Sequence, residues 1–290
     1  MHDVMTKIKV TPLSSACGAE ISGVDLSKDI DDATINAIKD AWNEHLVIVF
    51  RGQDITQEQQ LQFAARFGQV GQRRQAPKAL ASRTEGSMQT DNRVLLVSNM
   101  KVNGESIGAF GDADMWFHID GGYGERPYQY SFLYSIKLPS SGGNTLFSNM
   151  YKAYDAVPDY LKKLLTGKKA LHIHEYKRTE KVDLKEDLSG SPHFFHPVFT
   201  THPNTGRKSL FVDRLMTQRI EGVSAKDSEE ILEHLYEIGE RPEFVFEHVW
   251  KLGDVVCWDN RCTIHARTPF PKGEDRLLRR CTVEGPPIRE

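Results

Sequence analysis

Apolar residues recur at helical spacing in several separate stretches of the chain. In residues 32–44, Ile35, Ile38 and Trp42 follow each other at intervals of three and four, so they lie on one face of a predicted helix. Other stretches repeat this pattern between helix start and stop signals. We expect three further helices, one from Thr56 to a stop at Gly68, one over about Tyr151–Leu165, and one that follows Ser224 as its N-cap.

The remaining apolar positions alternate with polar ones or form short β-branched runs, and Gly, Pro or Asn separate them. These features are typical of β-strands and their turns. The strands expected on this basis are Gly18–Val24, Leu46–Phe50, Val94–Val97, Tyr130–Ile136, Thr145–Ser148, Ser209–Val212, Phe244–Val249, Val255–Trp258 and Arg280–Val283. Many short strands with few helices predict a mainly β fold, a β-sandwich or jelly roll with helices packed outside.

Composition narrows the class of protein. The chain has 290 residues with no linker, repeat or low-complexity stretch, so we expect a single domain over residues 1–290. Its 39% hydrophobic and 27% charged residues are those of an ordinary globular protein. The net charge of −3 does not indicate the excess of basic residues that is typical of nucleic-acid-binding proteins.

The same sequence predicts a cytoplasmic protein. No apolar run is long enough to span a bilayer, so no membrane association is expected. The first residues lack the apolar core of a signal peptide. The four cysteines form no CxxC pair and are expected to be reduced thiols.

Two histidines and one aspartate provide the candidate chemistry. On a strand, residues i and i+2 point to one face, so His118 and Asp120 could approach a metal ion from the same side. A third ligand must come from a distant segment, and His265 follows a predicted late strand. Such a set matches the two-histidine, one-carboxylate face that holds Fe(II) in non-haem oxygenases. The pattern alone is weak, because the chain has 11 histidines and a chance match is easy.

Five segments in order make the pattern far more specific, and they cover nearly the whole chain. They are Trp116–Gly121, Gly142–Met150, His196–Pro203, Thr205–Val212, and Trp258–Arg261 leading to His265 and Arg276. Together they resemble the taurine/2,4-dichlorophenoxyacetate dioxygenase family of Fe(II)- and 2-oxoglutarate-dependent oxygenases.

The resemblance implies a double-stranded β-helix, a cupin-like jelly roll, in which His118, Asp120 and His265 bind the catalytic Fe(II). It also implies that Thr145 and Arg276 hold the distal carboxylate of the cosubstrate 2-oxoglutarate, and that O2 is the other cosubstrate. The charges agree. Fe(II) with one carboxylate and two neutral imidazoles carries one positive charge, Arg276 adds another, and 2-oxoglutarate is a dianion. A buried dianion without such a match would be unfavourable.

Further residues concern the substrate. Arg280 matches the family position that often binds the substrate's anionic group, and on a strand it faces the same side as Arg276. The alternative for Arg280 is a structural salt bridge. Arg279 would face away and is expected to be a surface charge. Tyr123 and Tyr128 are expected either to line an aromatic-tolerant substrate pocket or to be ordinary core or rim residues.

Three other features limit what is expected of the site. Taurine itself is not expected as substrate, because Ala113–Asp114 stand where taurine-binding members have an acidic and an amide residue. Residues 71–92 are a candidate lid or an ordinary surface excursion. His172 and His174 are placed in a loop-helix region and are not expected to be ligands, and His196 and His202 are expected to make structural hydrogen bonds.

The predicted function is therefore an Fe(II)/2-oxoglutarate-dependent dioxygenase. It would hydroxylate a small organic anion of aryloxyalkanoate, sulfonate or carboxylate type and release succinate and CO2. The family tendency predicts a dimer or tetramer. Two alternatives stay open at this point: a catalytically silent jelly-roll binding protein, and an iron oxygenase that does not use 2-oxoglutarate.

Overall fold

The computed structural model describes residues 8–72, 91–112, 115–174, 188 and 191–290. Within these ranges the helices are α1 Asp32–His45, α2 Gln57–Ala65, α3 Met150–Ala156, α4 Asp159–Leu165 and α5 Ala225–Gly239, with a 3-10 turn at Pro242–Phe244. The strands are β1 Lys9–Pro12, β2 Ala19–Ser22, β3 Val47–Phe50, β4 Leu95–Ser98, β5 Lys101–Val102, β6 Glu105–Ser106, β7 Ala109–Phe110, β8 Met115–His118, β9 Tyr128–Lys137, β10 Thr145–Asn149, β11 Lys169–Ile173, β12 His193–Pro197, β13 Phe199–Thr201, β14 Lys208–Leu210, β15 Thr217–Ile220, β16 Val245–His248, β17 Val255–Asp259, β18 Thr263–Arg267 and β19 Leu277–Glu284.

Two sheets build the centre of the molecule. The larger has the order β1-β2-β3-β17-β9-β19-β4-β7, and the smaller has the order β16-β10-β18-β8. Side chains from both sheets pack into one apolar core, which includes Val49, Leu133, Val256 and Leu278 from the large sheet and Phe147 and Phe246 from the small one. The two sheets therefore face each other, as in the jelly roll that the strand pattern predicts.

Helices cover the outside of this sandwich. On the outer face of the large sheet, α1 and α2 contribute Ile38, Trp42 and Phe63 to a second core with Phe132 and Val255. On the other side, α3 to α5 pack with the three-stranded sheet β12-β11-β15 into a third core. The predicted mainly β jelly roll with flanking helices is confirmed.

Local capping signals mark the helix boundaries correctly. Thr56 caps α2, and its side chain and that of Gln59 form a reciprocal capping box. Ser224 caps α5 and accepts a hydrogen bond from the amide of Asp227. No helix within the described ranges combines the length and apolar character needed to cross a membrane.

Two sequence predictions about the elements need correction. The single helix expected over Tyr151–Leu165 is two helices, because Val157 is extended and Pro158 stands at the N-terminus of α4. Proline lacks an amide hydrogen and disfavours a helical residue before it. His172 belongs to β11 and not to a loop-helix region. The proposed lid at 71–92 lies mostly outside the described residues.

Candidate metal centre

The two histidines of the predicted triad lie opposite each other on neighbouring strands. β18 pairs with β8 antiparallel, with His265 directly across from His118. Their ring centroids are 4.1 Å apart. Asp120 lies just beyond the end of β8, before Gly121 with a φ angle of +71°. Two histidines thus come from paired strands, and the carboxylate comes from the turn that follows.

The three side chains converge on one point. His118, Asp120 and His265 are buried, and one ligand atom from each lies within 4.8 Å of the others. His118 Nε2 is 4.0 Å from Asp120 Oδ1, and His265 Nε2 is 3.9 Å from Asp120 Oδ2. His118 Nδ1 lies 3.0 Å from the Trp116 carbonyl oxygen. A carbonyl only accepts, so Nδ1 carries the proton and Nε2 keeps its lone pair for a metal.

Asp120 is held by partners from the large sheet. Arg280 on β19 donates from NH1 to Asp120 Oδ1 at 2.6 Å, and Ser131 on β9 donates to Oδ2 at 2.6 Å. Asn260 accepts a hydrogen bond from the Asp120 amide and donates one to Ser131. Burial raises the pKa of Asp120, but the Arg280 charge, the two histidines and the Ser131 hydrogen bond lower it to about 2. The carboxylate is therefore ionised at neutral pH.

His265 is kept in the form that binds metals. Burial, and then the neighbouring His118, lower the pKa of His265 well below its ordinary value, although Asp120 acts in the opposite direction. A neutral imidazole is the form that can donate a lone pair to a divalent ion. Two nitrogen donors and one carboxylate on a single face, with the far side open to a pocket, fit an Fe(II) centre that leaves coordination positions for other ligands.

A buried arginine lies in the same pocket as the triad. The lining includes His118, His265, Thr145, Arg276 and Arg280. The five predicted metal, cosubstrate and anion residues other than Asp120 are thus brought together, and Asp120 lies within 4.0 Å of three of them, His118, His265 and Arg280.

Arg276 has the surroundings of an anion-binding group. It is 2% exposed, and its NH2 donates to the carbonyl of Gly143 at 2.9 Å. Its Nε has no hydrogen-bond partner among the described residues. Burial, with a smaller effect of the Arg267 charge, lowers the pKa of Arg276 to about 9, so it is still charged at neutral pH. A buried cation with an unused donor fits the distal carboxylate of a dicarboxylic cosubstrate.

Thr145 is oriented by a tryptophan. It begins β10, and its hydroxyl accepts a hydrogen bond from Trp250 Nε1 at 3.1 Å. The Thr145 hydrogen is then available for a carboxylate oxygen, because the hydroxyl can accept and donate at the same time. Thr145 and Arg276 therefore supply two donors for one anionic group.

The predicted substrate residues differ in their positions. Arg280 lines the pocket. Tyr123 packs beside the pocket with Met115, in a small cluster that also holds Leu215 and Met216. Tyr128 is buried on β9, and its hydroxyl donates to the carbonyl of Gln72. Tyr128 is not among the described residues that line the pocket.

Arg279 corrects one sequence prediction. It does point away from the pocket, as the period of a strand requires. However, it is not a surface charge: its Nε donates to Gln60 Oε1 at 2.7 Å, its NH2 donates to the Ile55 carbonyl, and it lies over the Tyr134 ring. The side chain is half-buried and ties α2 to the large sheet.

Sequence reasoning missed the residues that support the ligands. Ser131 belongs to none of the segments that carry the family resemblance, and Asn260 lies in the Trp258–Arg261 segment but was assigned no role. Arg267 lines the pocket next to Arg276, and the period-two rule could have found it, because it stands two positions after His265 on one strand. The predicted structural roles of His196 and His202 agree with their hydrogen bonds to Gly124 and Asp259.

A jelly roll with this triad beside a buried arginine defines the class of non-haem Fe(II), 2-oxoglutarate-dependent oxygenases. The sequence profile described as "Taurine catabolism dioxygenase TauD, TfdA family" matches residues 9–282, and the chain belongs to this family. It is 34% identical over 287 residues to pentalenolactone F synthase of Streptomyces avermitilis, across 92% of this chain and 90% of the relative. It is 32% identical over 277 residues to the alpha-ketoglutarate-dependent 2,4-dichlorophenoxyacetate dioxygenase of a Burkholderia species, across 92% and 91%.

A solved structure agrees with these relatives. The crystal structure of AAD-2 in complex with Mn(II) and N-oxalylglycine superposes with a TM-score of 0.81 at 29% identity, over 98% of this chain and 99% of that one. The protein is an Fe(II)/2-oxoglutarate-dependent dioxygenase, and Fe(II), 2-oxoglutarate and O2 are its cofactor and cosubstrates. The binding-protein alternative and the alternative without 2-oxoglutarate are therefore set aside.

Proposed function

We propose that this dioxygenase hydroxylates a small organic anion of aryloxyalkanoate, sulfonate or carboxylate type. The observation that carries the proposal is Arg280, which lines the pocket and contacts Asp120. Fe(II), Asp120, Arg276 and the cosubstrate dianion are together close to neutral. Arg280 and Arg267, which also lines the pocket, then leave two positive charges near the metal, and an anionic substrate would offset part of this charge.

The roles of individual residues follow from their contacts. His118, Asp120 and His265 would hold Fe(II), which supplies, with 2-oxoglutarate and O2, the oxidation of a substrate C–H bond. Thr145 and Arg276 would hold the distal carboxylate of the bound 2-oxoglutarate. The chain's own contribution is to fix both anions by charge-assisted hydrogen bonds and so to direct one C–H bond toward the metal.

The two tyrosines would contribute less directly. Tyr123, which packs with pocket residue Met115, would form part of the apolar surroundings of the substrate. Tyr128 would act from further away, by fixing the chain at Gln72 through its hydroxyl. The name of one relative includes 2,4-dichlorophenoxyacetate, an aryloxyalkanoate, which supports a substrate with an aromatic body.

Three broader properties belong to the same proposal. The large sheet joins strands from Lys9 to Glu284, which supports one domain over the whole chain. The four cysteines are buried and form no disulfide, which supports a reducing, cytoplasmic location. We also expect a homo-oligomer, a dimer or tetramer, and sedimentation of the purified protein would measure it.

The test of the substrate proposal is a panel of organic acids, sulfonates and uncharged analogues scored by succinate release. Arg280→Gln should raise the KM for accepted anions by about 10- to 100-fold, since a charge-assisted hydrogen bond contributes about 1.5–3 kcal/mol. Arg280→Lys should recover part of this loss. Arg279→Gln, on the opposite face of β19, is the matched control and should leave the KM unchanged. Equal turnover of neutral analogues and anions by the wild type would contradict the proposal.

A further inference from the structure

Phe110, at the rim of the pocket, has an unusual backbone. Its φ is +77°, in the left-handed region that residues with a Cβ rarely adopt. It ends β7 and precedes Gly111, whose φ is also positive. Such a conformation persists only where the surroundings hold it, and it is concentrated at ligand sites. A strained aromatic residue at a pocket rim therefore indicates a role for its ring.

Two contacts hold this backbone in place. β7 pairs parallel with β4, with Phe110 beside Ser98. The Phe110 carbonyl accepts a hydrogen bond from Arg267 NH2 at 3.0 Å. Arg267 stands two positions after His265 on β18, so the rim is tied directly to the strand that carries a metal ligand.

The ring itself faces the anion-binding side of the pocket. The Arg280 guanidinium carbon lies 5.7 Å from the centroid of the Phe110 ring, within the range of a cation–π contact. Met115, Leu133 and Val97 also line this pocket. The pocket that contains the Arg280 guanidinium is therefore lined in part by apolar side chains. Phe110 and Trp258 add aromatic rings to this lining, and the Phe110 ring lies within cation–π range of Arg280.

We propose that Phe110 is a specificity-determining residue that selects organic anions with an apolar, preferably aromatic, body. The proposal rests on the proposed function, in which Arg280 binds the anionic group. The body of the substrate would pack against Phe110 and Met115, and the strained backbone would keep the ring at a fixed distance from the metal ligands.

The same lining disfavours zwitterions. The described residues that line the pocket include no acidic side chain, and Asp120 beside it is already paired with Arg280. An ammonium group buried against this lining would lose its hydration without gaining a carboxylate partner. We therefore expect phenoxyacetate to bind and 2-aminoethanesulfonate to bind far more weakly.

The test measures binding and needs no turnover. Under anaerobic conditions, Fe(II) and 2-oxoglutarate give a visible charge-transfer band, and the change in this band on adding phenoxyacetate gives its Kd. Phe110→Ala should raise that Kd at least about 10-fold, as expected when an aromatic side chain no longer shields apolar surface. The Kd for 2-oxoglutarate should change less than about two-fold by the same reasoning. Phe110→Leu should fall between, and Tyr160→Ala, which removes an exposed aromatic ring from α4, should match the wild type.

The outcomes separate this inference from the proposed function. No band with Fe(II) and 2-oxoglutarate in the wild type would refute the assignment of the cosubstrate site. A normal band with equal phenoxyacetate affinity in wild type and Phe110→Ala would overturn only the role of Phe110. Failure of phenoxyacetate to bind the wild type, or tighter binding by 2-aminoethanesulfonate, would overturn the substrate class.

The backbone strain at Phe110 can be measured separately from the role of its ring. Phe110→Gly and Phe110→Ala both lack the ring, so a difference between them reports on the backbone alone. Glycine normally destabilises a folded protein relative to alanine, but at a positive φ the order reverses. We expect Phe110→Gly to have the higher Tm of the two variants. A lower Tm for Phe110→Gly would show that this backbone is not held in the left-handed region.

Discussion

Among the residues that the structure describes, two buried groups of histidine, carboxylate and cysteine side chains could hold a metal by distance alone. One is His118, Asp120 and His265, and the other is His202, Asp259 and Cys262. In each group the ligand atoms lie within 4.8 Å of one another. We refer to them as the open triad and the closed triad, because they differ in whether the histidine Nε2 atom that faces the carboxylate is already hydrogen-bonded to it.

In the closed triad, the protein itself uses the histidine nitrogens. His202 Nε2 donates to Asp259 Oδ2 at 2.9 Å, and its Nδ1 accepts hydrogen bonds from the amides of Asn204 and Thr205. In the open triad, both Nε2 atoms face Asp120 at about 4 Å, beside a pocket lined by three arginines. Convergence of donors is therefore insufficient for a metal site, and the lone pairs must also be left unbonded and accessible.

The largest expected difference is in metal content. Asp120→Ala should abolish iron binding and succinate formation, with a loss well above the roughly 10- to 100-fold expected for a supporting residue. Metal analysis and succinate release would measure it. Asp259→Asn is the matched change in the closed triad and should still bind one iron per folded chain. Loss of iron from Asp259→Asn, with retention in Asp120→Ala, would reverse the assignment of the two triads.

The next largest effect concerns the pocket that only the open triad adjoins. Arg276→Ala should raise the KM for 2-oxoglutarate by about 10- to 100-fold, because its unused Nε donor offers a charge-assisted hydrogen bond of roughly 1.5–3 kcal/mol. Arg279→Ala, three residues later on the outer face, should leave this KM unchanged. A titration of the charge-transfer band gives the Kd directly. Unchanged affinity in Arg276→Ala would mean that the cosubstrate carboxylate binds elsewhere.

The closed triad should matter for stability. Asp259→Asn should lower the free energy of unfolding by about 1–3 kcal/mol, the effect of leaving buried polar groups with poorer partners. His202 Nε2 and the Arg261 amide both depend on this carboxylate. Urea denaturation of the metal-free protein measures the change. If the variant were as stable as the wild type but lost iron, the carboxylate would be a ligand after all.

The smallest effect is a pH dependence of the metal-free protein. In the unfolded chain His265 takes up a proton near pH 6.5, whereas in the folded protein burial holds its pKa well below that value. As the pH falls below about 6.5, the unfolded state gains a proton that the folded state does not, so the free energy of unfolding falls by up to about 1.4 kcal/mol per pH unit. His265→Gln should reduce this slope by one proton between pH 6.5 and 5. An unchanged slope in urea titrations would contradict a buried, neutral His265.

The local parts of the fold were predictable from the sequence. Thr56 and Ser224 mark true helix starts, because a capping hydrogen bond depends only on residues three positions away. Pro158 is also visible in the sequence. The single helix expected across it was wrong, because proline lacks the amide hydrogen that the interior of a helix requires. Strand pairing was not predictable, since the partner of β8 lies about half of the chain away.

The site shows the same difference between local features, which the sequence predicts, and long-range contacts, which it does not. The period of a strand placed Arg276 and Arg280 on one side and Arg279 on the other, and the structure agrees. The period could not predict that α2 would bury the opposite face, which is why Arg279 is half-buried. It also could not predict Ser131 or the strained Phe110, because each is defined by contacts with residues far away in the sequence.

The pairing of β8 with β18 determines when the iron can be loaded. A growing chain that has emerged only as far as Asp120 offers one imidazole and one carboxylate, too few ligands for a stable centre. The second imidazole, His265, and the arginine of the cosubstrate site, Arg276, follow Asp120 by 145 and 156 positions in the sequence. Capture of the metal by all three ligands therefore requires synthesis at least as far as His265. Bound iron then stabilises the native state in proportion to the logarithm of its concentration over its Kd.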